Sequence, residues 1–255
     1  MSESIRAVER ALDVLSCFTN STTNLSMTQI AEKTGMNKST VHRLLATLEA
    51  KKYVQRDPIT SRYQPGNSLL QVASLTLDRN GLRQIASPHM KNLNDMHRET
   101  ITLSVLDDLD MVYIDVLESP QSVKLAAKPG QRLPVFCTAS GKVVMAYSSD
   151  SFIQQVLSQD LPQYTSYTIR DSSVAYHIMD LVRERGFAYS EQEFEDGINA
   201  VAAPILDKHK AAIASIAVAG PAYRLPVERM VSIGPSVAEA ARNISREIAQ
   251  SSQIR

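Results

Sequence analysis

Between Ser26 and Asp57 the chain reads SMTQIAEKTGMNKSTVHRLLATLEAKKYVQRD, and this stretch constrains the fold more tightly than any other. Ser26 with Gln29 three residues on forms a capping box, in which the serine hydroxyl takes a free backbone N–H and the glutamine reaches back. Met27, Ile30 and Ala31 then fall on one apolar face. Gly35 suits the left-handed exit of that helix, and Asn37 suits the cap of the next. In the second helix Val41, Leu44, Leu45 and Leu48 repeat at i, i+3, i+4 and i+7, so the pattern predicts two short helices joined by a tight turn.

The second helix turns Lys38, Ser39, Thr40, His42, Arg43 and Thr47 outward, with no carboxylate before Glu49 to repel a phosphate. With Thr28 of the first helix, these hydroxyls, cations and imidazole suit base edges and DNA phosphates. An ordinary solvated helix face is the plain alternative. After the helix, Tyr53–Arg56 and Arg62–Gln64 read as two short strands around Asp57-Pro58-Ile59-Thr60-Ser61, a turn with a basic residue on each flank, as in the wing of a winged helix. Upstream, Ile5, Val8, Leu12 and Leu15, with Ala11, predict an amphipathic helix that completes a three-helix core. Helix pairs of this spacing also occur as packing elements and as protein-binding modules.

Charge agrees with a reader joined to a second part. The 255-residue chain is formally neutral, but residues 1–66 hold nine Lys or Arg against six Asp or Glu, a surplus of three that the remainder balances. Cys17 and Cys137 lack a CxxC partner, which implies neither a disulfide framework nor a zinc ribbon, and both are expected buried and reduced. No signal sequence and no apolar run of membrane-spanning length is present, so the expected compartment is the cytoplasm.

Near Gly66 the pattern changes. Asn67 caps an expected helix whose Leu69, Leu70, Val72, Ala73 and Leu77 are too apolar to face water, so it packs on its own protein or on a second copy. Asn80-Gly81 breaks it, and a further helix is expected from about Ile85 or Pro88 to Arg98. The divisions read as 1–66 for the winged helix, 67–84 for a linker helix and 85–255 for a second domain. There, strands are expected at Ile101–Leu106, Met111–Glu118, Val123–Ala126, Phe187–Ser190, Ala200–Leu206 and Ile213–Ala219. Helices are expected at Thr138–Ser148, Asp150–Leu157 with Asp150 as its cap, Ser172–Arg185 and Pro226–Ile248. Strands joined without helices between them argue for an antiparallel sheet flanked by helices, an α+β class.

Chemistry-bearing patterns are weak. Thr138-Ala139-Ser140-Gly141-Lys142 fails as a phosphate loop, because Phe136 stands where its first glycine belongs and Val143 where Ser or Thr does. Ser140 has neither a GxSxG elbow nor an SxxK register to make it a nucleophile. Small residues there fit a helix N-terminus in close approach, and such a terminus offers N–H groups to an anion. Glu191, Glu193, Glu195 and Asp196 read as a solvated acidic loop, with acid–base work as the less favoured reading. The five histidines, His42, His89, His97, His177 and His209, lack metal-ligand spacing, so neither a metal nor a cofactor is expected.

Taken together, Ile5-Arg6-Ala7-Val8-Glu9-Arg10-Ala11-Leu12, the Lys38–Leu45 helix, Thr138–Lys142, Glu193 with Gly197, and Ala202-Ala203-Pro204-Ile205 make the chain similar to the IclR family of bacterial transcription regulators. The resemblance covers nearly the whole chain. It implies an N-terminal winged helix-turn-helix, a dimerising linker helix, and a C-terminal effector-binding domain similar to GAF domains, assembled as a homodimer or a dimer of dimers on operator DNA. It also implies an effector pocket at Ala139, Ser140, Ser190, Ile198, Ala200, Ala217 and Ala219. Members that take small keto acids place polar residues, serines among them, where this chain has Ala217 and Ala219. The implied ligand is therefore bulkier or less polar than glyoxylate, or an acid held mainly through backbone N–H groups near Ser140. On this reading Arg43 meets a base edge, Arg62 of the wing meets backbone or minor groove, and an organic acid or aromatic compound sets operator affinity, more in the manner of a repressor. An enzyme with an accessory winged helix, working near Ser140 or Glu193, and a protein-interaction module are the competing classes.

Overall fold

A computed structural model describes residues 5–19, 22–77 and 81–251, with side chains 74–77 and 251 excepted. The chain divides into two compact units, Met1–Leu77 and Asp78–Arg255.

In the first unit, α1 (Arg6–Ser16), α2 (Met27–Thr34) and α3 (Lys38–Ala50) precede the two-stranded ladder of β1 (Val54–Arg56) and β2 (Tyr63–Pro65), and α4 (Asn67–Leu77) follows. The capping box at Ser26 and Gln29 forms in both directions, and Gly35 takes φ 66°, the left-handed exit that ends α2. Asn37 then accepts the backbone N–H of Thr40 at 2.9 Å and starts α3. Ile30, Ala31, Val41 and Leu45 close a core with Leu25, Val54 and Tyr63.

The first helix departs from its sequence pattern. Val14 fills the core and Leu15 packs against it, whereas Ile5, Val8 and Leu12 stand 68, 53 and 57 % exposed. A helix with two apolar stripes can bury either one, and periodicity identifies the stripe without saying which neighbour it meets. In α4, Leu70 is likewise 71 % exposed. Of the expected break after this helix, Asn80 lies outside the described residues, and so does the side chain of Leu77.

The second unit is built on a six-stranded antiparallel sheet. Its strands are β3 (Thr100–Asp107), β4 (Asp110–Leu117), β5 (Arg132–Pro134), β6 (Ala188–Glu191), β7 (Ile198–Leu206) and β8 (Ala212–Pro221), in the order β5-β4-β3-β8-β7-β6. Around it lie α5 (Leu82–His97), α6 (Ala139–Ala146), α7 (Asp150–Leu157), α8 (Ser172–Arg185) and α9 (Val227–Ser251). Alternation along the strands sends one set of side chains to α6 and α8, where Val143, Val144, Met179, Val182, Ala202 and Ala217 form one core.

Four local expectations are corrected. The α5 helix begins at Leu82 and carries Pro88 inside it, since burial of Ala86, Met90 and Leu93 outweighs the hydrogen bond that a proline forfeits. Residues 123–126 form no strand: Leu125 packs by its side chain near Tyr113 and Leu133. The open edge of β4 is taken by β5, with Met111 opposite Leu133. Arg132 holds that edge by bridging Asp107 at 2.6 Å and Asp110 at 3.0 Å. Ser149, not Asp150, caps α7 by accepting the N–H of Phe152. Of the acidic run, Glu191, Glu195 and Asp196 are exposed, but Glu193 is buried.

Candidate functional site

In the first unit, Thr28, Lys38, Ser39, His42, Arg43 and Thr47 are exposed, and Thr40 is half-buried. Two of the hydroxyls are already engaged: Ser39 donates to the Asn37 cap at 3.0 Å, and Thr47 donates back to the carbonyl of Arg43. Among the described residues, the side chains of Lys38, His42 and Arg43 make no hydrogen bond or ion pair within the protein, which leaves their donors for an outside partner. Arg62 differs. Its guanidinium reaches back to the carbonyl of Asn24 at 3.2 Å and to Gln29 at 3.4 Å, fastening the second wing strand to the start of α2. Arg56, on the other wing strand, lies over the ring of Tyr63 at 5.8 Å. The wing tip is set by Asp57, whose carboxylate accepts the N–H groups of Thr60 and Ile59 and is thereby held below the usual carboxylate range.

In the second unit the seven positions Ala139, Ser140, Ser190, Ile198, Ala200, Ala217 and Ala219 all line one cavity. Strand register explains the convergence. Thr102 lies opposite Ala217, Ala219 opposite Ala200, and Ala200 opposite Ser190, so these residues share one face across four strands. Three of them are alanines, which leaves a void between the sheet and the first turn of α6. Its volume is about 60 Å³, several times the ~10–15 Å³ that accommodates one water.

The first turn of α6 is held against the end of β5 by a close approach of backbones. Thr138 caps it, accepting the N–H of Gly141 at 3.1 Å while donating to the carbonyl of Pro134. A Cβ on Gly141 would stand 1.8 Å from the carbonyl oxygen of Val135, so only glycine fits. The amides of Ala139 and Ser140, at the first two helical positions, have no intrahelical acceptor and carry the positive end of the helix dipole.

Sequence reasoning missed Thr102, Met111, Tyr113, Leu125, Gln131, Leu133, Thr138, Phe194 and Glu195, which complete the lining. A polar Thr102 within the apolar run of β3 was the one available signal; the others require the register. Tyr113 is pushed up to about 12, chiefly by burial, with the Thr102 hydrogen bond opposing and the charge of Glu195 adding to the rise.

On the inner side of α6, Lys142 donates to the carboxylate of Glu193 and to the carbonyl of Tyr189 at 3.2 Å. Burial pushes Lys142 below the usual lysine range and Glu193 above the usual carboxylate range, while each partner's charge opposes the shift. Among the described residues, the buried Oε2 of Glu193 accepts no hydrogen bond. Cys17 and Cys137 are both free and buried, and burial pushes the Cys137 thiol up to about 12. Among the described residues no group of three or more His, Cys, Asp or Glu is arranged to hold a metal, and no helix is long and apolar enough to cross a membrane.

Comparison with known proteins agrees with this architecture. Residues 7–58 match the IclR helix-turn-helix domain, and residues 74–246 match the bacterial transcriptional regulator IclR C-terminal domain. The HTH-type transcriptional regulator BhcR of Paracoccus denitrificans is 31 % identical over 96 % of this chain and 88 % of its own. The transcriptional repressor IclR of Escherichia coli is 27 % identical over 94 % of this chain and 89 % of its own. A crystal structure of an IclR transcriptional regulator from Alicyclobacillus acidocaldarius superposes with a TM-score of 0.85 at 28 % identity, covering 97 % of this chain and all of that one. Matched along both of its parts, the chain belongs to the IclR family of bacterial transcription regulators.

Proposed function

We propose that this DNA-binding regulator is a homodimeric or tetrameric repressor whose operator affinity is set by a small organic acid or aromatic compound bound in the α6 cavity. The observation that carries the reading is the convergence of Ala139, Ser140, Ser190, Ile198, Ala200, Ala217 and Ala219 on that single cavity. Its mostly apolar walls with a few polar groups are what a small-molecule site requires. The first-turn amides of α6 suit a carboxylate.

On the DNA side, Arg43 is the base reader, with Lys38, Ser39, Thr40, His42 and Thr47 beside it on α3 and Thr28 on α2. Arg62 serves the wing by holding it to α2 as well as by its charge. Dimerisation through residues 67–84, supported by the exposed Leu70 and by the outward stripe of Ile5, Val8 and Leu12 on α1, brings two recognition helices to successive major grooves, ~34–36 Å apart. The protein works in the cytoplasm, where its operator is. Repression is favoured by the named repressor of Escherichia coli among its relatives.

A DNase footprint on the DNA upstream of the protein's own gene and of neighbouring genes, with random competitor DNA and varied salt, tests the reading. A protected, roughly palindromic site whose affinity falls steeply with salt is expected. Equal binding to operator and random DNA on every promoter would overturn it.

A further inference from the structure

The polar groups of the α6 cavity are unequally committed. Ser190 donates its hydroxyl to the carbonyl of Cys137 at 3.2 Å, and Thr138 donates to Pro134. Gln131 uses its side-chain oxygen on the N–H of Lys128, which leaves its amide donors. Ser140 and Glu195 make no side-chain hydrogen bond or ion pair among the described residues. Ser140, only 6 % exposed, lines the cavity in the first turn of α6. Glu195 is exposed at the opening.

Glu195 is therefore an anion on a cavity that no Lys, Arg or His lines among the described residues. An ionised carboxylate is an acceptor only, so whatever meets it must donate. Two aromatic rings, Tyr113 and Phe194, share the lining, and Phe194 is held edge-on by Tyr164 at 5.0 Å between centroids. A ligand group placed beside Glu195 therefore meets like charge if it is anionic and finds an acceptor if it is a hydroxyl or an ammonium.

We propose that the cavity selects an organic acid carrying a second, hydrogen-bond-donating group, an alcohol or an ammonium, and that Glu195 is the acceptor that reads it. The inference rests on the cavity being the effector site and adds what the effector must contain. Its acid group lies at Ala139 and Ser140, and its donor group lies at Glu195. Unsubstituted monoacids lose the second contact, and dicarboxylates meet like charge.

Isothermal titration of the full-length protein with four acids of one chain length separates these cases: pentanoate, 5-hydroxypentanoate, 5-aminopentanoate and glutarate. Each is measured on wild type, Glu195→Gln and Glu195→Lys; Glu195 is exposed, so the variants keep the fold. The hydroxy or amino acid is expected to bind wild type about five- to tenfold tighter than pentanoate, with glutarate weakest. Whichever of the two binds tighter tells alcohol from ammonium. Glu195→Gln should flatten the series, and Glu195→Lys should bring glutarate to the top. A series in which glutarate equals the others, or whose order survives Glu195→Gln, overturns the role of Glu195 and leaves the effector site standing. Absence of binding by all four acids to all three proteins overturns this inference, while the effector-site reading, which also includes aromatic compounds, is decided separately by Ala219→Phe.

Discussion

The Lys142 ammonium and the Glu193 carboxylate meet where their side chains are only 7 and 4 % exposed, between α6 and the loop that follows β6. One lies three residues into the helix that closes the cavity, and the other lies three residues beyond Ser190 on its floor. The pair therefore ties the helix terminus to the sheet at the site itself.

Breaking this pair from one side should be costly, because the remaining charge stays buried without a partner. Lys142→Met or Glu193→Gln alone is expected to lose on the order of 3–5 kcal/mol from the second unit, whereas Lys142→Met with Glu193→Leu should regain most of it. Urea unfolding followed by far-UV circular dichroism checks this. Equal losses in the single and double variants would mean that packing, not charge, is what the pair supplies.

Filling the cavity should blind the protein to its effector without touching the DNA reader. Ala219→Phe places a ring where the register leaves a methyl, opposite Ala200. Operator affinity without ligand should match wild type, and ligand binding, read by titration calorimetry, should fall at least tenfold. Overpacking costs about 1–3 kcal/mol, so the melting transition of each variant is recorded alongside. Undiminished ligand binding in a folded variant would place the effector elsewhere.

For the DNA face, Arg43→Ala should cost on the order of 1–3 kcal/mol on operator and relax preference at one base pair. Lys38→Ala, as a phosphate contact, should weaken all sequences alike and lower the salt slope by about one. Fluorescence anisotropy on operator and random duplexes distinguishes the two. If Arg43→Ala reduced both duplexes equally, Arg43 would be a phosphate contact instead.

His97 should give the second unit a pH-dependent stability. Burial first, and then the charge of Arg229, hold its imidazole below the usual range. Its Nε2 lies 2.9 Å from the hydroxyl of Ser236, which itself donates to Ile233. The unfolded chain, at ~6.5, takes up the proton first. In the window between the two values the unfolded state binds more protons, so stability rises with pH and is lost as pH falls through the folded value. Urea midpoints between pH 5 and 7 should show this slope in wild type and a flatter one in His97→Gln.

Where local chemistry decides structure, the sequence was legible. The capping box, Gly35 and Asn37 place α2 and α3 through bonds that span three residues. It was less legible where a partner decides. The stripe of Ile5, Val8 and Leu12 was visible, but not that Val14 would take the core instead. The β5 strand is three residues long with a proline at its end, too short for alternation to register, and exists because Arg132 clamps it to the β3–β4 hairpin. Glu193 sits in a run of acids, and only the fold brings Lys142 to it from 51 residues away. The floor of the cavity followed from the family resemblance. Thr102, Tyr113, Phe194 and Glu195 did not, because strand pairing and loop placement bring them there.

An effector bound in the cavity should change operator affinity, and by linkage the size of that coupling is the same measured from either side. The most direct measurement is anisotropy of a labelled operator fragment titrated with wild type and with Ala219→Phe, with and without the acid that binds tightest by calorimetry. Saturating acid should shift the operator Kd of wild type by at least about fivefold and leave that of Ala219→Phe unchanged. An operator Kd of wild type that stays the same while the acid occupies the cavity would rule this coupling out.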